Sequence, residues 1–183
     1  MRQEWQESIA IAASPEEVYR YLADFPSHCE WAQTLERLER TRAGDVRGVG
    51  ARYRAIEHQA LQSDRGPQQP ISARGGLRSQ TSCEIRELLP GRRIAWHAHT
   101  LPRSGLRADL SFDLADKAEH GTLLTQRIVF HQPGLLRLIF RLILRATEEE
   151  LVTKGAAQWS AGLRNIKTIL EARKPPANQQ TAA

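Results

Sequence analysis

The residues best placed to do chemistry are His97 and His99 in "RRIAWHAH", His131 in "RIVFHQ", and Glu57 in "ARYRAIEH". An HxH pair on one strand turns both imidazoles to the same face, as two metal ligands require. His131 is expected two strands away in an antiparallel meander, about 10 Å off at the usual strand spacing. No third ligand stands at short range, so ordinary sheet histidines are preferred to a metal centre, and neither metal nor cofactor is assigned. Acid–base catalysis would need a carboxylate or imidazole aimed into a cavity with a shifted pKa. Glu57 shares the face of Ala51 and Tyr53, and His131 ends the last strand, so Glu57, His97 and His131 are the catalytic candidates. There is no Ser-His-Asp pattern, Walker loop or GxGxxG; "ARGGLR" reads as a flexible stretch.

Elements that could position these groups follow from periodicity. Residues 4–14, "EWQESIAIAAS", alternate as a strand. "SPEEVYRYLADF" carries a capping box in Ser14 and Glu17, proline at the first helical position, and Val18, Tyr21, Leu22 and Phe25 on one helical face. Pro26 stops it, and "SHCEW" is a turn or helical stub. In "TLERLERT" (34–41), Leu35 and Leu38 have opposite parity, which predicts a bulge. "GDVRGVG" is turn chemistry, 51–58 alternates again, and 81–99 holds two strands about a Pro90-Gly91 turn. Residues 106–116 are the cleanest amphipathic strand, and 121–132 are another. Residues 59–80 read as a loop or insertion, and 174–183 as a disordered tail.

From residue 134 the period becomes helical. A single helix over 134–172 would run close to 60 Å at 1.5 Å per residue. Thr147 followed by Glu148, Glu149 and Glu150 repeats the capping signature, so a break is expected near Ala146. The later piece should bury Val152, Ala156, Trp159, Leu163, Ile166 and Leu170, with Gly155 and Gly162 near that face. One strand, a helix, about six meandering strands and a long helix make an α+β domain over 1–173, with a curved antiparallel sheet around the terminal helix.

Bulk properties agree with a globular chain: 183 residues, 40% hydrophobic, 26% charged, net charge +5, and mean hydropathy −0.50. A nucleic-acid partner is not expected, because the arginines are scattered beside acidic residues and no basic-aromatic motif occurs. Cys29 and Cys83 fit neither a disulfide framework nor a CxxC site. "MRQEWQES" lacks an apolar signal core, which makes cytoplasmic residence the expectation. Residues 134–145 are apolar apart from Arg137, Arg141 and Arg145. Those arginines form one narrow stripe, suited to a lid over a cavity, a transient membrane-surface contact, or a homodimer interface burying Leu138 and Phe140.

The order of elements and several phrases resemble the START-like, or Bet v 1-like (SRPBCC), superfamily. Within it the nearest resemblance is to the bacterial polyketide cyclase/dehydrase and lipid-transport group. The matching phrases are "SPEEVYRYLADFPSHCEW", "GVGARYR", "EIRELLPGRRIAW", "GTLLTQRIVF" and "LRNIKTILE", and the resemblance covers residues 4–172. The resemblance implies a helix-grip fold of about six to seven strands and a cavity for a small apolar ligand such as a lipid, isoprenoid, quinone or polyketide-like molecule. It supplies no universal catalytic residue, so a cyclase or dehydratase using the same cavity is the alternative. Trp31, Tyr53, Trp96, Phe112, Phe130 and Trp159 are then the expected wall, and Leu136, Phe140 and Ile143 the gate.

Overall fold

The computed structural model describes residues 2–59, 77–100, 107–117, 121–131 and 148–173. Strand β1 (Arg2–Ile11) leads into helix α1 (Pro15–Ala23). The expected capping box is present. Ser14 Oγ accepts from the Glu17 amide at 3.3 Å, and the Glu17 carboxylate accepts from the Ser14 amide at 2.9 Å. Val18, Tyr21 and Leu22 are its buried face. The chain then makes a short 3-10 turn (Phe25–Ser27) and helix α2 (His28–Trp31).

Six strands follow: β2 (Leu35–Arg42), β3 (Arg52–Gln59), β4 (Leu77–Leu89), β5 (Arg93–Thr100), β6 (Arg107–Lys117) and β7 (Gly121–His131). All adjacent pairs are antiparallel, in the order β1-β7-β6-β5-β4-β3-β2, so the first strand pairs with the last. Helix α3 (Glu148–Ala172) closes the described chain.

The turn chemistry behaves as read. Between β2 and β3, the Asp45 carboxylate accepts from the amides of Arg47 and Val49, both at 2.9 Å. Gly48 and Gly50 take φ of 88° and 81°, a region that side-chain-bearing residues rarely enter. Between β4 and β5, Gly91 has φ 66° and the Arg92 amide donates to the Leu89 carbonyl at 3.0 Å.

The predicted bulge in β2 is found as register shifts between Leu35 and Arg37 and between Arg40 and Arg42. The first of these resolves the parity conflict, because the extra residue lets both Leu35 and Leu38 line the interior. One boundary is corrected. Residues 77–80, assigned to the 59–80 insertion, are strand, and Leu77–Gln80 pair with Gln59–Ile56. Backbone pairing extends an existing ladder without needing an apolar pattern, so polar "LRSQ" gives no warning of it. Residues 60–76 lie outside the described residues, as do 132–147 with the expected break near Ala146, the gate residues Leu136, Phe140 and Ile143, and the 174–183 tail.

Leu163, Ile166, Ile169 and Leu170 of α3 are buried in one core with Ile11, Val18, Leu22, Ile94, Phe112 and Leu124. Polar ties fix the helix at its far end. Lys167 Nζ donates to the Ala10 carbonyl at 2.6 Å and the Ala12 amide to Glu171 at 2.9 Å. Asn165 Nδ2 donates to the Trp31 carbonyl at 3.1 Å, which joins α3 to α2. Thus the later turns of α3 are buried in the core, while the turns around Trp159 border a cavity.

Candidate functional site

Between the inner face of the sheet and α3 lies a half-enclosed cavity of about 150 Å³. Alternation along each strand decides what reaches it. Ala55 and Glu57 of β3, Cys83 of β4, Trp96 and Ala98 of β5, Leu110 of β6 and Gln126 of β7 form the sheet wall. Phe25, His28 and Trp31 form one end, and Gln158, Trp159 and Gly162 the helical side.

The expected aromatic wall divides into two layers. Trp31, Trp96 and Trp159 line the cavity. Tyr53, Phe112 and Phe130 stand behind them. Tyr53 stacks on Phe25 with ring centroids 5.1 Å apart; Phe112 meets Trp31 edge-on at 5.7 Å and Trp96 at 5.5 Å. Phe130 stacks on Trp159 at 5.4 Å, while Trp5 touches the same indole at 5.1 Å. These second-layer rings hold the tryptophans in place. The gate and the membrane or dimer contact expected of 134–145 lie outside the described residues.

The catalytic candidates also separate. Glu57 faces the cavity, and Thr81 Oγ1 donates to its Oε2 at 3.3 Å. Burial pushes the carboxyl above its ordinary range, with the Thr81 and Ser79 hydroxyls opposing the shift. His97 and His131 do not face the cavity; this corrects the expectation for both. The alternation that turns Trp96 inward turns His97 outward, onto the same face as Asp109 of β6. His131 Nε2 donates to Asp109 Oδ2 at 2.7 Å, and His97 Nδ1 lies 2.6 Å from Oδ1. Burial lowers the His97 pKa despite Asp109. Burial works against the Asp109 carboxylate too, but the His131 hydrogen bond and the positive groups around it hold its pKa below the usual range. Of these ring nitrogens, His131 Nε2 is bonded to Asp109. Among the described residues, no group of three or more His, Cys, Asp or Glu could hold a metal ion.

Among the cavity residues that the sequence did not mark as site residues are Phe25, His28 and Gln126. His28 is fully buried; its Nε2 donates to the Leu22 carbonyl at 2.8 Å and its ring stacks on Phe25 at 4.6 Å. Burial lowers its pKa to about 4, partly opposed by that carbonyl, so the imidazole is neutral at physiological pH. Gln126 had a readable signal, since it occupies the inward parity of Leu124 and Ile128. The Cys83 thiol is pushed up to about 12, first by burial and then by Glu57, which makes it a wall atom and no nucleophile.

Elsewhere, a larger groove of about 480 Å³ lies between α1 and the end of α3. Within it, Arg173 and the Tyr21 hydroxyl both donate to Glu30 Oε2, at 3.0 and 3.1 Å. Outer-sheet arginines are similarly paired, Arg52 with Glu84 at 2.8 Å, Arg78 with Glu36 at 2.9 Å and Arg127 with Glu4 at 2.6 Å. Among the described residues, no helix is long and apolar enough to cross a membrane.

A seven-stranded antiparallel sheet gripping a terminal helix, with a hollow between them, defines a Bet v 1-like helix-grip protein. The chain belongs to the polyketide cyclase/dehydrase and lipid transport family, which it matches over residues 2–171. Among solved structures, it is similar to the Zhui aromatase/cyclase from a Streptomyces species (16% identity, 97% of this chain and 99% of that one, TM-score 0.67). It is also similar to the di-domain aromatase/cyclase StfQ of the steffimycin biosynthetic pathway (15% identity, 94% of this chain and 52% of StfQ, TM-score 0.69). A Thermus thermophilus protein shares 18% identity over 94% of this chain and 100% of its own, with TM-score 0.62. At these identities the likeness is one of fold. No curated protein matches the chain by sequence.

Proposed function

We propose that the protein binds a small apolar ligand in the cavity between the sheet and α3, as a carrier or binding protein. The observation that carries this reading is the cavity itself: about 150 Å³ is kept open beside a solid core, walled by three indoles, Phe25, Leu35, Leu38 and Leu110. Protein interiors normally close such voids, because lining atoms without partners lose dispersion contacts. Membership of a family that includes lipid transport supports the same reading.

The test is calorimetric titration with small aromatic probes, alongside native mass spectrometry of the gently purified protein. Ala98→Leu fills the cavity from β5, and it should cut probe affinity at least tenfold while the protein stays folded. Probes that bind the filled variant as well as wild type would remove the reading.

A second reading, cyclase or dehydratase chemistry in the same cavity, is favoured by one observation. Glu57 presents a buried carboxyl with a raised pKa to the ligand space, as a general acid–base group would. Turnover of a polyketide-like substrate that disappears in Glu57→Gln, with binding retained, would establish it.

A further inference from the structure

Among the described residues, two that line the cavity each carry a buried polar atom with no hydrogen-bond partner. Trp31 Nε1 and Gln126 Oε1 are both buried and unbonded, in residues only 6% and 3% exposed. Both residues line the same cavity. Leaving a buried polar atom unpaired costs about 1–3 kcal/mol, and a phenylalanine and a leucine would occupy these places without it. Gln126 is the more telling. It sits on the inward parity of β7 between Leu124 and Ile128, opposite Phe112 of β6 and Glu7 of β1. Nothing in the packing of the sheet calls for an amide there.

The two atoms are complementary to one chemical group. An indole N–H only donates, and an amide oxygen only accepts. A hydroxyl does both at once, accepting from Trp31 and donating to Gln126. A ketone or ether could satisfy the indole alone. Glu57 faces the same space but already accepts from Thr81. Size narrows the ligand further, since cavities on the order of 150 Å³ hold a benzene-sized ring.

We propose that Trp31 and Gln126 form a hydroxyl-recognition subsite, so that the ligand enters this cavity with an apolar ring bearing a hydroxyl group. This rests on the binding reading above and adds the ligand's polar requirement to it.

The isosteres p-cresol and p-xylene test it, because they differ in placing a hydroxyl or a methyl on the same ring. In a purely apolar cavity p-xylene binds tighter, since burying a hydroxyl without partners is unfavourable. With the subsite, calorimetry on the wild-type chain should show p-cresol binding at least tenfold tighter than p-xylene. Trp31→Phe and Gln126→Met, which keep the wall's bulk, should each shrink or invert that preference. Equal or tighter binding of p-xylene to wild type would overturn the subsite while leaving the binding reading intact. So would a p-cresol preference unmoved in both variants. Failure of both rings to bind wild type would overturn the binding reading, and the subsite with it.

Discussion

Gly162 of α3 rests against the indole of Trp31, where an added Cβ would come 3.3 Å from Cε3 and 3.4 Å from Cζ3. The glycine therefore sets how closely the terminal helix approaches α2, and it leaves Trp31 in its place on the cavity wall. Alanine gains about 1 kcal/mol of helix propensity over glycine, which offsets a mild overlap. Gly162→Ala should thus change stability by less than about 1 kcal/mol, whereas Gly162→Val should cost about 2–3 kcal/mol through overpacking. Both should shift near-ultraviolet circular dichroism as Trp31 moves. A valine variant as stable as wild type in urea unfolding would show that the contact is slack.

His28 should make the fold acid-sensitive. Its folded pKa, about 4, lies below the ordinary 6.5, so the unfolded chain binds the extra proton between these values. Its contribution is complete above pH 6.5 and falls as pH drops toward 4. The full difference corresponds to about 3 kcal/mol, an upper figure for a buried group. His28→Gln keeps an N–H for the Leu22 carbonyl but does not titrate. Its stability deficit relative to wild type, read from urea unfolding, should narrow from neutral pH to about pH 4.5. A deficit independent of pH would contradict the neutral buried imidazole.

Glu57 has the opposite sign. Its folded pKa is raised above the ordinary 4.5 by burial, so the folded state holds its proton longer than the unfolded chain. Stability is lost as pH rises above 4.5, because ionisation is then disfavoured in the cavity. Glu57→Gln retains an acceptor for Thr81 and removes this loss. The variant's melting temperature should gain on wild type as pH rises above 4.5 and level off once pH passes the raised folded pKa. Parallel melting curves across that range would mean that Glu57 is solvated.

On the outer face, Asp109 ties β5 to β7 by meeting His97 on one side and His131 on the other. Its charge raises the His97 pKa against the effect of burial. Asp109→Asn should therefore lower the His97 pKa further, as followed by imidazole nitrogen NMR. An unchanged His97 titration would show that the 2.6 Å contact carries no electrostatic weight.

Much of the scaffold was readable locally. Ser14 and Glu17 announced α1, the parity conflict of Leu35 and Leu38 announced a bulge, and Pro90-Gly91 announced its turn. Alternation also put Glu57 on the inner side of β3. These features depend on residues within a few positions of one another, where backbone sterics and a repeat of two or 3.6 act directly.

What only the tertiary structure decided concerns distances between elements. Tyr53, Phe112 and Phe130 share the inward parity of Trp96, yet they form a second layer, because Phe25, Trp31 and Trp159 arrive from the helices and cover them. The pairing of His97 with His131 required the aspartate of an intervening strand, fixed by register rather than by any motif. Gln126 and Trp31 came to line one cavity only because the fold sets β7 and α2 around the same hollow. Periodicity tells a side chain which face it takes; where the opposite wall stands is set by the packing of α3 on the whole sheet, a quantity held by no single stretch of the chain.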